Sequence, residues 1–258
     1  MKGFNLPFFL KTNNVMIIKI NSFISILLLS ATATYGQKEA KENYVPIEPI
    51  VIDGQTAEWK TDWQLDPDGK FLFNIGNDEQ NLYLRIKVSD DLTQQKIALY
   101  GLSVKLDVNG KKKGKLGLKY PVGKDANELK KMPEPLPKDA AGKAKAKKEL
   151  LSEIEVLELL GLAKENIVSS RLGLMNGIEV LIVVDENAAY VYEAKIPFKA
   201  FRIDKSATPV LGVTIETGKM APPKTSTPNA GQGQRYNPGY GNYELMTPGY
   251  MWVAAKIK

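Results

Sequence analysis

The sequence predicts an all-β protein, an antiparallel, jelly-roll-like β-sandwich with one inserted helix. Three observations support this fold class. Short segments alternate between apolar and polar residues, turn signals separate them, and cysteine and histidine are absent, which excludes a disulfide framework or a thiolate metal site. The 258 residues, 43% of them hydrophobic, suffice for one large β domain.

The first 37 residues have the layout of a secretion signal. Lys19 precedes an apolar run, Phe23–Leu29, and small residues follow at 30–34. The run is shorter than the roughly 20 residues that a membrane span needs. We therefore expect residues 1–37 to be a signal peptide, with Met16 as a second candidate start. The mature protein is then periplasmic or secreted and has no membrane span.

Composition excludes several classes of function. Without histidine the chain lacks the usual general base, the commonest zinc ligand and the usual haem ligand, so we expect no haem. Carboxylates remain, but no motif joins pairs such as Glu193 and Glu216, so we expect no enzyme. Removing residues 1–37 leaves 32 basic and 29 acidic side chains, a net charge of +3 that does not indicate nucleic-acid binding.

Strand signals follow a polar tether at residues 38–48. Residues 81–88 (NLYLRIKV) are the clearest, with aliphatic side chains on one face and Tyr83, Arg85 and Lys87 on the other. Such alternation predicts a half-buried strand with one face toward the core. The other predicted strands are those at Phe71 and Phe73, 102–108, 116–120, 167–175, 178–184, 189–196, 210–217 and 250–257.

Turn signals connect these strands. Asn109-Gly110 and Asn176-Gly177 are dipeptides that favour type I′ hairpin turns, because both central residues of that turn need a positive φ. Polar runs at 77–80 and 185–187 predict two further turns. Many short strands separated by turns are typical of a sandwich.

Residues 123–162 interrupt the strand pattern. Gly123–Lys138 is rich in proline and predicts a linker, and the Ala-, Lys- and Glu-rich segment after it predicts a helix from about Lys143 to Leu162. The apolar stripe of this helix either packs on the sandwich or presents a partner-binding surface on a flexible arm. The stripe consists of Leu150, Leu151, Ile154, Leu157 and Leu160.

The segment from Ala221 to Gly249 is rich in Pro, Gly, Asn and Tyr and predicts a long loop without regular structure. Aromatic rings in such a loop can stack on the faces of sugars or fix the loop to the sheet, and the sequence leaves both open. The candidate ligand-binding residues are Tyr100, Tyr236, Tyr240, Tyr243, Tyr250, Arg235 and Trp63.

Three motifs resemble those of carbohydrate-binding module family 9 and of the broader DOMON-like sandwiches. Residues 51–59 (VIDGQTAEW) are similar to their IDG…W opening, 77–91 (NDEQNLYLRIKVSDD) to their D…NLY(V/L)…V.D strands, and 193–198 (EAKIPF) to their late E.AIP(W/F) strand end. The resemblance covers about residues 49–258. It implies a non-catalytic sandwich that binds an extracellular carbohydrate, with Trp59 as a core anchor and Trp63 partly exposed.

The resemblance also bears on individual site residues. Sugar-binding members place the sugar between two exposed tryptophans and use a carboxylate in the strand that Leu102–Asp107 resembles. Here Ile97 stands at the first tryptophan position and Ser103 at the carboxylate position. Some members hold structural calcium, for which the candidate ligands are Asp78, Asp90 and Asp91. The alternative function is a structural or partner-binding cell-envelope protein whose partner is another envelope protein.

Overall fold

The computed structural model describes residues 41–42, 50–55, 57–66, 68, 70–124, 137, 139–152, 154–162, 167–169, 176–221 and 240–258. All belong to the unit Ala40–Lys258, and the predicted signal peptide lies outside them. They form two sheets with an apolar core between them, which confirms the predicted all-β sandwich. No helix among these residues is long and apolar enough to cross a membrane.

Twelve strands and three α-helices lie within the described ranges. The strands are β1 (Lys41–Glu42), β2 (Gln64–Asp66), β3 (Phe71–Asn77), β4 (Asn81–Val88), β5 (Leu102–Asp107), β6 (Leu116–Lys119), β7 (Val156–Leu160), β8 (Ile167–Ser169), β9 (Glu179–Val184), β10 (Tyr190–Pro197), β11 (Val210–Thr217) and β12 (Tyr250–Lys256). The helices are α1 (Asp91–Tyr100), α2 (Ala140–Ser152) and α3 (Tyr240–Met246), and short 3-10 turns occur at Phe198–Phe201 and Lys205–Ala207.

The strands divide into a seven-stranded and a five-stranded sheet. The first has the order β1-β12-β11-β5-β6-β7-β8, and the second has the order β2-β3-β4-β10-β9. All neighbouring pairs are antiparallel except β1–β12, in which Lys41 and Glu42 of the predicted tether pair in parallel with the last strand.

Alternate residues of both sheets fill the core. In β5, Leu102, Val104 and Leu106 are buried while the residues between them face outward, as the sequence predicts. Large rings such as Tyr192 of β10 and Phe201 are fully buried as well. Burying one such ring stabilises a fold by about 2 kcal/mol. The core therefore accounts for the stability of a chain without disulfides.

The Asn109-Gly110 turn differs from the predicted type I′ geometry. The β5–β6 connection spans residues 108–115, and Gly110 has a positive φ (+68°) whereas Asn109 does not. The reason is Asp107, whose carboxylate accepts the Asn109 N–H (2.8 Å) and whose carbonyl accepts the Gly110 N–H (3.0 Å). These bonds form an Asx-type turn instead of a two-residue hairpin.

The predicted helix of the insert is half helix and half strand. Helix α2 ends at Ser152, and residues 156–160 form β7, which pairs with β6 in the seven-stranded sheet. A short apolar run satisfies helical and strand patterns alike, and the available edge of β6 favours the strand. Leu151 and Leu157 are buried in the core, so the apolar stripe packs on the sandwich.

A buried lysine fixes α2 to the sandwich. The Lys147 ammonium is 4% exposed and donates to Asp91 Oδ1 (2.9 Å) and to the Ala188 carbonyl (3.2 Å). Lys143, one turn earlier, also pairs with Asp91 (3.1 Å). Because a buried ammonium requires such partners, these contacts determine where the helix docks. The helix is therefore part of the sandwich rather than a displayed arm.

Two helices lie where the sequence analysis predicts none. Helix α1 is capped by Asp90, whose carboxylate accepts from the Thr93 N–H (2.9 Å) and hydroxyl (2.6 Å). It ends where the Gly101 N–H donates to the Ile97 carbonyl (2.9 Å). Helix α3 lies inside the segment predicted to be a loop without regular structure, which corrects that prediction.

Gly117→Ala is expected to lower the free energy of unfolding by about 3 kcal/mol. Gly117 has φ +149°, and an added Cβ would collide with the Val104 carbonyl oxygen of the adjacent strand β5. Urea unfolding measures the loss. The matched control is Gly177→Ala, at a turn glycine with φ +75° whose Cβ would meet a single side-chain atom, Pro197 Cγ, at 3.2 Å. Its cost should stay near 1 kcal/mol; equal costs would contradict the steric argument.

Candidate functional site

The predicted ligand-binding residues fall on two surfaces. Tyr100 ends α1 and Tyr250 begins β12, both at one end of the seven-stranded sheet, and the exposed Tyr243 is on α3 just before β12. Trp63 lies on the outer side of the five-stranded sheet. Arg235 and Tyr236 lie outside the described residues, and Tyr240 is placed only by its backbone, at the start of α3.

Backbone hydrogen bonds join the residues next to Tyr100 and Tyr250 to Thr217, the last residue of β11, and to Gly218 after it. The carbonyl of Gly101, which follows the first tyrosine, accepts from the Gly218 N–H (2.7 Å). The carbonyl of Gly249, which precedes the second, accepts from the Thr217 N–H (2.9 Å). Two segments that are distant in sequence, each with a tyrosine, thus meet at the end of one strand.

The register of the sheet places four side chains in one row across four strands. Glu216 of β11 pairs with Tyr250 of β12 on one side and with Ser103 of β5 on the other. Ser103 pairs in turn with Lys119 of β6. The alternate residues of these strands point into the core, so this row, which we call the outer row, faces away from it. Tyr250 is 38% exposed and the other three are half-buried.

Lys105 connects the outer row to the neighbouring row of the same face. Its ammonium lies 2.5 Å from the Glu216 carboxylate, and both side chains are about one-third exposed. Lys105 pairs in register with Thr214 of β11, and Thr214 pairs with Trp252 of β12. The Trp252 ring is buried and lies under the Lys112 ammonium, 5.2 Å from the ring centroid. That neighbouring row is therefore more closed to solvent than the outer row.

The charges of the outer row are partly shielded from water. Burial lowers the pKa of the Lys119 ammonium below its usual range; the nearby Lys105 acts in the same direction and Glu158 of β7 opposes it. Burial also raises the pKa of the Tyr100 hydroxyl. Hydrogen bonds from groups in such surroundings are stronger than in bulk water. The outer row therefore offers strong polar contacts beside an exposed ring.

A segment before β2, described at residues 50–55 and 57–63, crosses the outer face of the five-stranded sheet and is here called the strap. It contacts β10 through Gly54, whose N–H donates to Glu193 Oε2 (2.9 Å). It contacts β3 through the Asp62 carbonyl, which accepts from Asn74 Nδ2 (2.7 Å). The strap thus covers a face that strand alternation predicts to be open to solvent.

The cover corrects one prediction and confirms another. The pattern of β4 predicts solvent-facing positions for Tyr83 and Arg85, but these are 3% and 2% exposed. Trp59 is 3% exposed and packs with Tyr83 in a second, smaller apolar cluster, as expected of a core anchor. The alternating pattern of the covered strand does not indicate such a cover, because the covered positions hold polar or amphipathic residues as solvent-facing positions do.

Arg85 lies between two tryptophan rings. Its guanidinium carbon is 4.0 Å from the Trp63 ring centroid and 5.1 Å from that of Trp59, which are cation–π distances. Nε donates to Asn74 Oδ1 (2.8 Å) and Nη2 to the Thr61 carbonyl (2.6 Å). Trp63 is half-buried, as predicted, but it belongs to the opposite sheet from the outer row. The structure does not bring it together with the tyrosines.

A buried carboxyl also lies under the strap. Glu193 is 0% exposed, and this burial raises its pKa to about 7; Glu58 acts in the same direction, and the Gly54 N–H opposes it. Glu193 points outward from the five-stranded sheet, whereas Glu216 points outward from the seven-stranded sheet. The two carboxylates considered as a catalytic pair therefore do not face one substrate.

The three predicted calcium ligands have separate local roles. Asp78 accepts the Asn81 N–H (2.6 Å) within the β3–β4 turn, Asp90 caps α1, and Asp91 pairs with Lys147 (2.9 Å). Within the described ranges, no three acidic side chains gather into a potential metal site. These roles give no support to structural calcium, which stays a prediction.

The two family positions have different outcomes. Ile97 is buried on α1 and faces the core, so it offers no surface to a ligand. Ser103 belongs to the outer row, and Glu216 lies beside it in register. Sequence reasoning missed Glu216, Lys105 and Lys119 as site residues. The alternating pattern of the predicted strands places these residues on an outward face. Which of them lie side by side becomes known only when the pairing of the strands is known.

Comparisons with known proteins add little to this description. No family model matches the chain, and no curated protein matches it. It is similar to a solved carbohydrate binding module family 9 (CBM9) from Caldicellulosiruptor kristjanssonii in complex with glucose, with 10% identity, a TM-score of 0.35, and coverage of 84% of this chain and 97% of that one. The fold assignment rests on the sheet topology, and the resemblance to DOMON-like domains stays a prediction.

Proposed function

We propose that the chain is an exported, non-catalytic module that binds an extracellular carbohydrate at the outer row of the seven-stranded sheet. One observation carries the proposal: the exposed Tyr250 ring stands in register with a carboxylate, a hydroxyl and an ammonium on the adjacent strands. The layout of residues 1–37 supports export.

These groups match the chemistry of a sugar. A pyranose has an apolar C–H face, which packs on an aromatic ring, and hydroxyls that donate and accept hydrogen bonds. Glu216 accepts, Lys119 donates and Ser103 does both. Three strand spacings of about 4.8 Å give the row a length of roughly 14 Å, which suits a short oligosaccharide. Lys105 already orients Glu216, so little ordering is needed on binding.

The alternative is a structural or partner-binding envelope protein that uses the same sandwich without a sugar site, and one form of it presents the inserted helix to the partner. The buried Lys147 and the core position of Leu151 hold α2 against the sandwich. Those contacts favour the carbohydrate proposal over the form of the alternative in which α2 binds the partner.

Tyr250→Ala is expected to weaken glycan binding at least tenfold, because the variant loses the stacking surface. A tenfold loss corresponds to about 1.4 kcal/mol, a reasonable value for one ring. Isothermal titration with a panel of soluble neutral glycans measures it, and the unmodified protein should bind at least one of them. If it binds none, the proposal is wrong. Release of shorter glycans during incubation would contradict its non-catalytic part.

Glu216→Gln is expected to weaken the same binding, again at least tenfold, since the amide is a poorer acceptor for sugar hydroxyls. The chain offers a matched control in Glu179→Gln. Glu179 is also a strand carboxylate paired with a lysine, Lys195, at 2.8 Å, and is 33% exposed against 31% for Glu216. It lies in the other sheet and should not affect binding. Equal losses in both variants would exclude the outer row as the site.

A further inference from the structure

A cleft of about 1010 Å³ opens at the opposite end of the sandwich from Tyr250. Tyr250 begins β12, whereas the cleft adjoins the β3–β4 turn, where Asn77 Nδ2 donates to the carbonyl of Lys258 just beyond β12 (2.7 Å). The 3-10 turn Phe198–Phe201 forms another wall. The polar side chains that line the cleft include Asn81, Asn176, Lys195, Lys199, Arg202 and Lys205.

The lining carries a net positive charge. It contains four cationic side chains and two acidic ones, Glu79 and Asp204, for a net charge of +2, which becomes +1 when Glu179, the ion-pair partner of Lys195 (2.8 Å), is included. Glu79 is 87% exposed, and its carboxylate is already paired with Lys205 (2.8 Å). A concave surface with charges of one sign in excess concentrates the field and attracts ions of the opposite sign. The cleft is therefore suited to an anionic group.

Two of the cations, Lys199 and Arg202, have no acidic partner in the part of the chain that the structure describes. Both are exposed, and the turn that presents them is anchored by Phe198 and Phe201, which are buried in the core. Arg202 has a left-handed backbone (φ +55°), and its N–H donates to the Lys199 carbonyl (3.2 Å). A left-handed residue of this kind commonly caps the end of a helical turn, and here it caps the 3-10 turn.

We infer that this cleft is a second binding site, which takes the carboxylate or sulfate group of an acidic saccharide between Lys199 and Arg202. A planar guanidinium matches the two oxygens of such a group, and the ammonium adds a point charge beside it. The exposed Gln80 amide at the edge of the cleft suits a hydroxyl of the same sugar. The choice of a saccharide as the carrier rests on the function proposed above, but the cationic site itself does not.

The double variant Lys199→Ala/Arg202→Ala is expected to bind polygalacturonate or dextran sulfate at least tenfold more weakly than the unmodified protein, in affinity electrophoresis at low salt. Polygalacturonate tests whether the cleft binds a carboxylate, and dextran sulfate tests whether it binds a sulfate. The matched control is Lys145→Ala/Lys148→Ala, which removes two exposed charges from α2 and should bind as the unmodified protein does. Added salt should weaken binding in every case, since it screens exposed charges.

Three outcomes would overturn the inference. These are failure of both acidic polymers to bind, equal losses in the two double variants, and equal binding of polyglutamate, a polyanion without sugar. The outer row is tested separately, by the binding of neutral glycans and by its loss in Glu216→Gln. Acidic binding that depends on Lys199 and Arg202 supports the cleft even if no neutral glycan binds. Neutral binding that depends on Glu216 leaves the outer row standing if the cleft fails.

Discussion

Arg85→Ala is expected to lower the free energy of unfolding by about 3–5 kcal/mol. The substitution leaves two acceptors without their donor, Asn74 Oδ1 under the strap and the Thr61 carbonyl of the strap itself. Each buried acceptor that loses its partner costs about 1–3 kcal/mol. It also opens a cavity between Trp59 and Trp63, which adds to the loss.

Lys87→Ala is the matched control for Arg85. Lys87 lies two residues further along β4 and on the same face, but its side chain is 26% exposed and forms an ion pair with Asp185 (2.7 Å). Such pairs contribute about 1 kcal/mol or less. Urea unfolding of both variants measures the difference. Similar costs for the two substitutions would mean that the strap does not depend on Arg85.

The free energy of unfolding is expected to fall by up to about 3 kcal/mol as the pH rises from about 4.5 to about 7. In this window the unfolded chain has released the Glu193 proton, whereas the folded protein, in which burial raises the pKa of Glu193 to about 7, retains it. Because the folded state binds more protons, stability falls with rising pH. One pKa unit corresponds to about 1.4 kcal/mol, which sets the size of the effect.

Glu193→Gln should remove this dependence, because glutamine does not titrate and can still accept the Gly54 N–H. Glu179→Gln, on the adjacent strand β9, should preserve it. Histidine, the residue that ordinarily titrates near pH 6.5, is absent, so no histidine contributes to the pH dependence of stability in this range. Thermal unfolding at several pH values measures the slope. A flat profile in the unmodified protein, or a slope that survives in Glu193→Gln, would contradict the assignment.

Below about pH 4 the slope should reverse. A hydrogen bond from Lys147 lowers the pKa of Asp91 below its usual range, so the stability that this pair supplies is present above that range and lost as the pH falls. The protein should therefore be most stable in moderately acidic solution.

Local patterns predicted most of the sheets. The strands at 81–88, 102–108, 210–217 and 250–257 lie within one residue of their predicted bounds, because alternation reflects a buried face directly. The β3–β4 hairpin and the turn at 185–187 are also confirmed. The cover that the strap forms over the outer face of β4 was not predictable in this way, since it depends on contacts between residues that are far apart in sequence.

Where patterns are ambiguous, tertiary contacts determine the structure. Residues 156–160 fit a helical stripe, but pairing with β6 makes them a strand. Helix α1 was missed although Asp90 and Thr93 form a readable cap, because its Lys- and Gln-containing sequence has no clear apolar stripe. Interactions across the sheet override weak local preferences in such segments.

The candidate site was predictable only in part. Tyr100 and Tyr250 were predicted from their residue type and from a resemblance to known modules. Lys105 and Glu216 are 111 residues apart and meet because β5 and β11 are neighbours, which no local pattern encodes. The outer row is a product of sheet register, so it becomes visible only when the strand order is known.

Backbone amide chemical-shift mapping with a bound neutral glycan tests the central proposal most directly. If the glycan binds at the outer row, the largest shifts are expected at the starts of β5 and β12 and at the end of β11, at Ser103, Glu216 and Tyr250, with none on the strap. Shifts that cluster around Trp63 and the strap, or that are absent at saturating glycan, would contradict carbohydrate binding at the outer row.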